Sequence, residues 1–438
     1  MILKKSIFSF ILFLQLVYAK AQHHEHLEDS IRIRYEGLNA LIGPNTFFDN
    51  HLTGFMLYDL DSQWVHFEKN SHMNFIPAST TKLLTFYASA VVLNRKTNTF
   101  RYTVQGEEIT IWGSGDPSWR YSLLPQPKIE AFLQPYKKIK YSTSNWKDNS
   151  FGRGWNWDDY YYAYSAERSP LPIYGNIATF RNVNGRPQSN IPTISIVSSS
   201  EHLNLTTLRR DFHSNTFYYN PRSYTHPGPI LPFVTSAELT AEILRDILKK
   251  PVEVVNTTLP STAQKYQGGD LQPLWKEMLQ ESDNFIAEQI LLMVSDELLG
   301  ELNAEKAIQQ VLKTHLADLP DTPQWVDGSG LSRHNLVTPR SMVQLIEKLD
   351  KIIPRQELIR LLPQGGINGT LKNNYKAPTP YVFAKTGTIS NNHCLVGIIR
   401  SNSNRYYAFA LMNNNYLNKA SEIRSEMEKV LLFIKNNF

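Results

Sequence analysis

The chain reads as an α+β protein, an antiparallel sheet flanked by helices and interrupted by a mostly β insertion. Three observations predict this. A hairpin pattern near the start, Phe55–Leu60 and Trp64–Phe67 joined at Asp61 and Ser62, matches three strand-like runs near the end, Tyr381–Thr388, Cys394–Arg400 and Tyr406–Met412. Amphipathic helical runs stand outside both groups, at Leu27–Ile42 and Ala420–Ile434. Between them, residues 98–235 change texture and become rich in Tyr, Trp, Pro, Ser and Thr.

In chain order, residues 1–21 read as an export signal. Lys4 and Lys5 give the positive start, Ile7–Val17 the apolar stretch, and Ala19 and Ala21 the small residues that a signal peptidase cuts after. Cleavage is expected near Gln22, with a periplasmic destination. The apolar stretch is too short to favour a permanent span, so any membrane contact is expected to be peripheral. After the first helix and the hairpin, Pro77 and Ser79 precede an apolar run, Leu83–Leu93, which predicts a buried helix. Short runs such as Glu108–Trp112 and Thr193–Val197 are the insert's strands, and Asn220–Pro232 with its four prolines is a return linker. Helical signals resume at Ser236–Leu248 and continue through Leu271–Leu299, Ala304–Leu316 and Pro339–Leu349. The expected organisation is one domain from 22–97 and 236–438, with 98–235 inserted into it.

Composition narrows the function. With 42% hydrophobic and 19% charged residues the chain is globular. A net charge of +5 without a basic cluster argues against a nucleic-acid binder. Cys394 is the only cysteine, so no internal disulfide forms, and its apolar neighbours predict a buried, inert thiol. His23, His24 and His26 read as an exposed start rather than a metal site. No metal or cofactor is expected.

Three motifs carry chemistry. Ser79-x-x-Lys82 at a helix start places a lysine one turn from a hydroxyl. The same spacing recurs at Ser144 and Lys147, in a loop-like setting, and Ser79 alone also reads as a plain helix cap. The second motif is Ser282-Asp283-Asn284, although Ser390-x-Asn392 shares its outline. The third, Lys385-Thr386-Gly387, lies in a strand-like run, where a glycine marks close approach of another backbone. A serine needs a base, and a buried lysine beside a second cation can be neutral and serve as one. Lys82 has the base's position and Lys385 that of the second cation. Ser282 is a candidate proton relay, and Asn284 a candidate holder of substrate amide or of Lys82. Thr386 is assigned to the substrate's carboxylate, and Gly387 to an extended peptide along the strand. The backbone N–H groups of Ser79 and Thr388 are candidates for an oxyanion hole.

Together and in this order, the motifs form the set found in class A β-lactamases and penicillin-binding proteins. The chain resembles the D-Ala-D-Ala carboxypeptidase family of low-mass, class C penicillin-binding proteins. Pro77–Lys82, Gly113–Pro117, Lys276–Asn284, Asp327–Arg333, Gly369–Leu371 and Ala384–Thr388 carry the resemblance. It implies a penicillin-binding, β-lactamase-like transpeptidase fold and the long insertion that separates Ser79 from Ser282 by about two hundred residues. It also implies an enzyme that removes D-alanine from peptidoglycan stem peptides or cuts D-Ala cross-links, and that is acylated by β-lactam antibiotics. Ser114 stands where the family often has glycine, and the insert is somewhat short. Asp327–Arg333 reads equally as a substrate-side loop or a structural turn. Trp155, Trp157 and Tyr160–Tyr162 suit core packing better than sugar stacking. The rivals are a serine β-lactamase, a general serine peptidase and a catalytically silent wall-binding protein.

Overall fold

The structure is a computed structural model that describes residues 31–125, 128–200 and 206–438. The expected export signal and the histidines at 23, 24 and 26 lie outside the described residues.

Strands Leu52–Asp59 and Val65–Lys69 form the first hairpin, and Val382–Ile389, Asn392–Arg400 and Tyr406–Asn414 form a meander. Tyr406–Asn414 pairs antiparallel with Leu52–Asp59, Leu411 opposite Phe55, and so joins both ends of the chain in one five-stranded sheet. Val382–Ile389 is an edge strand of that sheet.

Strand alternation divides the two cores. Val382, Ala384, Leu395, Phe409 and Leu411 point to one face, where Leu38 and Ile42 of helix 31–42 and Met427 and Leu431 of helix Ala420–Asn437 cover them. Phe383, Val396, Ala410 and Met412 point to the other face, into a helical block. Lys385 shares the parity of Phe383 and faces the same block. There helix Lys82–Val92 is buried almost all round, packed against helices Asn284–Leu299 and Pro339–Ile352. Cys394 is fully buried in this core, and burial pushes its thiol up to about 12, which keeps it inert.

Two expectations change. Leu271–Leu299 is two helices, Gln272–Gln280 and Asn284–Leu299, broken where Ser282 adopts a left-handed φ of 63°. The insert also extends past residue 235. Its main sheet, in order Val252–Val255, Lys138–Ser142, Glu108–Gly113, Lys96–Gln105 and Gln264–Asp270, takes two strands from beyond that point. Helix Ala237–Leu248, capped by Ser236, packs on the same core through Ala241 and Leu244. Val252–Val255 pairs parallel with a strand more than a hundred residues earlier, so no local hairpin signal announces it. Two small three-stranded sheets complete the insert. Asp116 is buried and accepts hydrogen bonds from Thr99 Oγ1 at 2.7 Å and Ser118 N–H at 2.9 Å, a structural role.

Candidate active site

Ser79 sits not at a helix cap but in a 3₁₀ turn, Ala78–Thr81, and the α-helix proper starts at Lys82. Ala78 holds a left-handed φ of 47°, unusual for a residue with a Cβ. The neighbouring packing fixes it: a Cβ on Gly330 would collide with the Ala78 carbonyl. Strain of this kind is maintained where surrounding structure over-determines the backbone. Here it occurs beside Ser79 and again at Ser282.

Lys82 is fully buried, and its Nζ lies 2.9 Å from Ser79 Oγ, 2.7 Å from Asn284 Oδ1 and 2.7 Å from the Ser329 carbonyl. The stoichiometry of donors is informative. As an ammonium, Lys82 donates to all three oxygens. As an amine, its two N–H groups satisfy the two carbonyl oxygens, and the lone pair is left for the Ser79 hydroxyl. Lys385 is equally buried and donates to Ser282 Oγ at 2.8 Å and to the Thr386 carbonyl at 2.9 Å. The middle residue of the second motif is the cap: Asp283 accepts the Ile286 N–H and so fixes Asn284 in the first turn. Asn284 spends its Nδ2 on the Tyr164 carbonyl, at 3.0 Å, and this orients Oδ1 toward Lys82.

Burial lowers the pKa of both lysines. Lys82 comes down to about 8, with the carboxylates of Asp327, Asp283 and Glu288 opposing the drop. Burial takes Lys385 well below the ordinary lysine range, and Lys82's positive charge adds to the drop. Both lysines thus give up a proton more readily than a free one, and the three carboxylates favour the charged form of Lys82. The surrounding acids are remote in sequence and gave no local sign.

Ser79, Ser282, Asn284 and Thr388 line one cavity of about 400 Å³. The lysines lie behind its wall. Thr388 Oγ1 is 2.7 Å from Nδ1 of His393, whose pKa burial depresses to about 4 and which is thus neutral. Thr386 Oγ1 donates to Thr370 Oγ1 at 2.8 Å, which brings Gly369–Leu371 to the site. Gly387 marks a close backbone approach, as its place in the strand suggested. A Cβ there would strike the Pro77 carbonyl and lie 2.9 Å from Thr80 N and 3.1 Å from Ser79 N. The close backbone is the protein's own nucleophile turn.

The Asp327–Arg333 segment is a structural turn with a functional edge. Four donors converge on the Asp327 carboxylate: Gly330 N–H, Ser332 N–H, Asn335 Nδ2 and Trp155 Nε1, at 2.7–2.9 Å. The turn so fixed delivers the Ser329 carbonyl to Lys82, and Gly330, Leu331 and Arg333 line the cavity. Sequence reasoning missed Asn156, Asp159 and Tyr164, which reach the cavity from the insert. Only their aromatic neighbours had been singled out. Of those, Trp157 is 77% exposed, and Tyr162, also exposed, stacks on Tyr164 with ring centroids 5.2 Å apart. Core packing is not the role of Trp157 and Tyr162, whereas Tyr161 packs against the insert's core as expected. The Ser144 and Lys147 pair is remote, Ser144 being bonded to the Thr257 carbonyl in the insert. Among the described residues no cluster of side chains suits a metal ion.

A family model of the D-Ala-D-Ala carboxypeptidase 3 (S13) family matches residues 45–435. The chain belongs to that family. It is similar to the D-alanyl-D-alanine carboxypeptidase DacB of Haemophilus influenzae, 23% identical with 87% of this chain and 89% of that protein covered. It is also similar to the penicillin-sensitive carboxypeptidase A of Dictyostelium discoideum, 24% identical with 84% and 83% covered. The crystal structure of penicillin binding protein 4 (dacB) from Haemophilus influenzae superposes with a TM-score of 0.71 at 21% identity. That match covers 92% of this chain and 99% of the other. The fold is thus the α+β penicillin-binding fold that the sequence predicted.

Proposed function

We propose that the protein is a serine-type D-Ala-D-Ala carboxypeptidase that works through an acyl-enzyme at Ser79. It acts on peptidoglycan stem peptides, and cuts D-Ala cross-links as a DD-endopeptidase by the same steps. Membership of the family supports the reaction class. The Lys82 bonds to Ser79, Asn284 and Ser329 are the observation that carries the mechanism.

The peptide lies extended along the edge strand Val382–Ile389, its C-terminal carboxylate against Thr386 and Lys385. That carboxylate favours the ammonium form of Lys385, whose charge in turn favours Lys82 as the amine. Lys82 then takes the Ser79 proton while Ser79 Oγ attacks the penultimate D-Ala carbonyl. The developing oxyanion is held by the N–H groups of Ser79 and Thr388. Lys385 passes a proton through Ser282 to the leaving nitrogen, the C–N bond breaks, and D-alanine departs from the Ser79 ester. Water, deprotonated by the same groups, hydrolyses the ester and restores Ser79. In a cross-link the departing amine belongs to the neighbouring peptide. A β-lactam acylates Ser79 too, but its nitrogen stays tethered to the acyl group.

The insert's 156–164 segment forms one wall of the cavity, beside a peptidase domain built from both ends of the chain. Export by the 1–21 signal to the periplasm fits a wall substrate. No helix among the described residues is long and apolar enough to cross a membrane.

The test is release of D-alanine from a tripeptide ending in D-Ala-D-Ala, with the L,L isomer as control. Release from the D,D form alone supports the reading. Cleavage of the L,L form, or fast turnover of nitrocefin in place of the peptide, overturns it.

A further inference from the structure

Behind Lys82 lies a second charged layer that the three motifs do not include. Glu288 follows Asn284 by one helical turn, on the same face, and is fully buried. Its Oε1 accepts the Ser329 N–H at 2.7 Å, and the carbonyl of that same residue accepts from Lys82. Its Oε2 has no hydrogen bond, and Arg168 Nη1 stands 3.5 Å away. Arg168 comes from the insert, is itself buried, and is held by Asp148 Oδ1 at 2.9 Å and by the Asn149 and Phe151 carbonyls. A buried carboxyl left half satisfied is costly, and a well-packed glutamine or methionine would suit a purely structural role.

We propose that Glu288 is a positioning residue for the general base. It holds the Ser329 peptide so that its carbonyl meets Lys82, and its charge biases Lys82 toward the ammonium form. This rests on the assignment of Lys82 as the base. The groups facing this layer are Asp327 from the turn, Asp283 at the helix cap, Arg168 with Asp148 from the insert, and the Lys82–Lys385 pair. Burial and the Asp327 charge push Glu288 up to about 7, and its charge is among those that hold Lys82 up. Arg168, within 3.5 Å of Oε2, makes the insert a party to this layer.

The sign is definite. A carboxylate near Lys82 stabilises the ammonium, so its removal lets Lys82 lose its proton at lower pH. The experiment measures acylation by a fluorescent penicillin, as rate constant over dissociation constant, from about pH 6 to 10 for wild type, Glu288→Gln and Glu288→Asp. Glutamine keeps an acceptor for Ser329 N–H but removes the charge. The limb set by Lys82 is expected to move toward acid by at least about one unit, the effect of a unit charge within ~10 Å at an effective dielectric of ~20. Aspartate keeps the charge but withdraws it by one methylene from Ser329. Its limb is expected to stay, and its maximum to fall at least about tenfold. A glutamine variant with the wild-type limb overturns the electrostatic role, and an aspartate variant with the wild-type maximum overturns the positioning role. Each stands if the other variant fails to fold. If wild-type Ser79 is not acylated at all, the base assignment itself has failed.

Discussion

Gly387→Ala tests the tightest dependence of the site on its fold. The added Cβ would meet the Pro77 carbonyl well inside contact and lie 2.9 Å from Thr80 N and 3.1 Å from Ser79 N. Ordinary carbon–oxygen approaches are about 3.3–3.6 Å, so strand and nucleophile turn must separate by on the order of 1 Å. Neither side yields easily. The strand is paired through Gly387 to Cys394, and the turn is packed against the Gly330 loop. A misplacement of ~1 Å in a catalytic constellation costs about 100-fold in rate. At about 1.36 kcal/mol per tenfold, that is ~2.7 kcal/mol of lost transition-state stabilisation. Overpacking adds about 1–3 kcal/mol of destabilisation. The assay is the acylation rate with a fluorescent penicillin, beside a thermal melt. Gly269→Ala is the control, since a Cβ there meets nothing within 4 Å. A Gly387→Ala enzyme that acylates within threefold of wild type and melts normally would refute the reasoning.

Other outcomes follow from the same geometry. Lys82→Ala is expected to slow acylation by at least about a thousandfold, measured by stopped labelling, because no other described base contacts Ser79 Oγ. Acylation efficiency should rise as pH rises through about 8, where Lys82 becomes the amine that takes the Ser79 proton, and a rate unchanged between about pH 7 and 9 would contradict the base role. Lys385→Ala should weaken binding of the D,D-peptide and slow acylation together, read as a rise in KM and a fall in kcat. Trp157→Ala should leave the melting temperature unchanged, because the indole is 77% exposed.

The parts of the site that sequence revealed are those carried by local spacing. Ser79 and Lys82 stand three apart before an apolar run, Ser282 and Asn284 share one tripeptide, and Lys385 lies in a strand-like run, whereas the break at Ser282 and the cap at Asp283 fall inside what reads as continuous helix. What stayed hidden depends on contacts between distant segments. Gly387 was legible as a close approach, but not as an approach of Pro77–Thr80. Glu288 looks like any polar residue in an apolar helix until Arg168 and Ser329 are brought to it. The five-stranded sheet was readable from its hairpins, whereas the insert's parallel pairing of Val252–Val255 with Lys138–Ser142 has no short-range signature. Trp157 was expected inside because tryptophan is usually buried, and nothing in the chain marks it as part of an exposed wall.

The central claim is that one hydroxyl, held by Lys82, receives the acyl group. Mass spectrometry of penicillin-treated protein reads this directly. A single adduct on the peptide that contains Ser79, absent from Ser79→Ala, is the expected result. An adduct on Ser282 or Ser144, or labelling that survives Ser79→Ala, would contradict it.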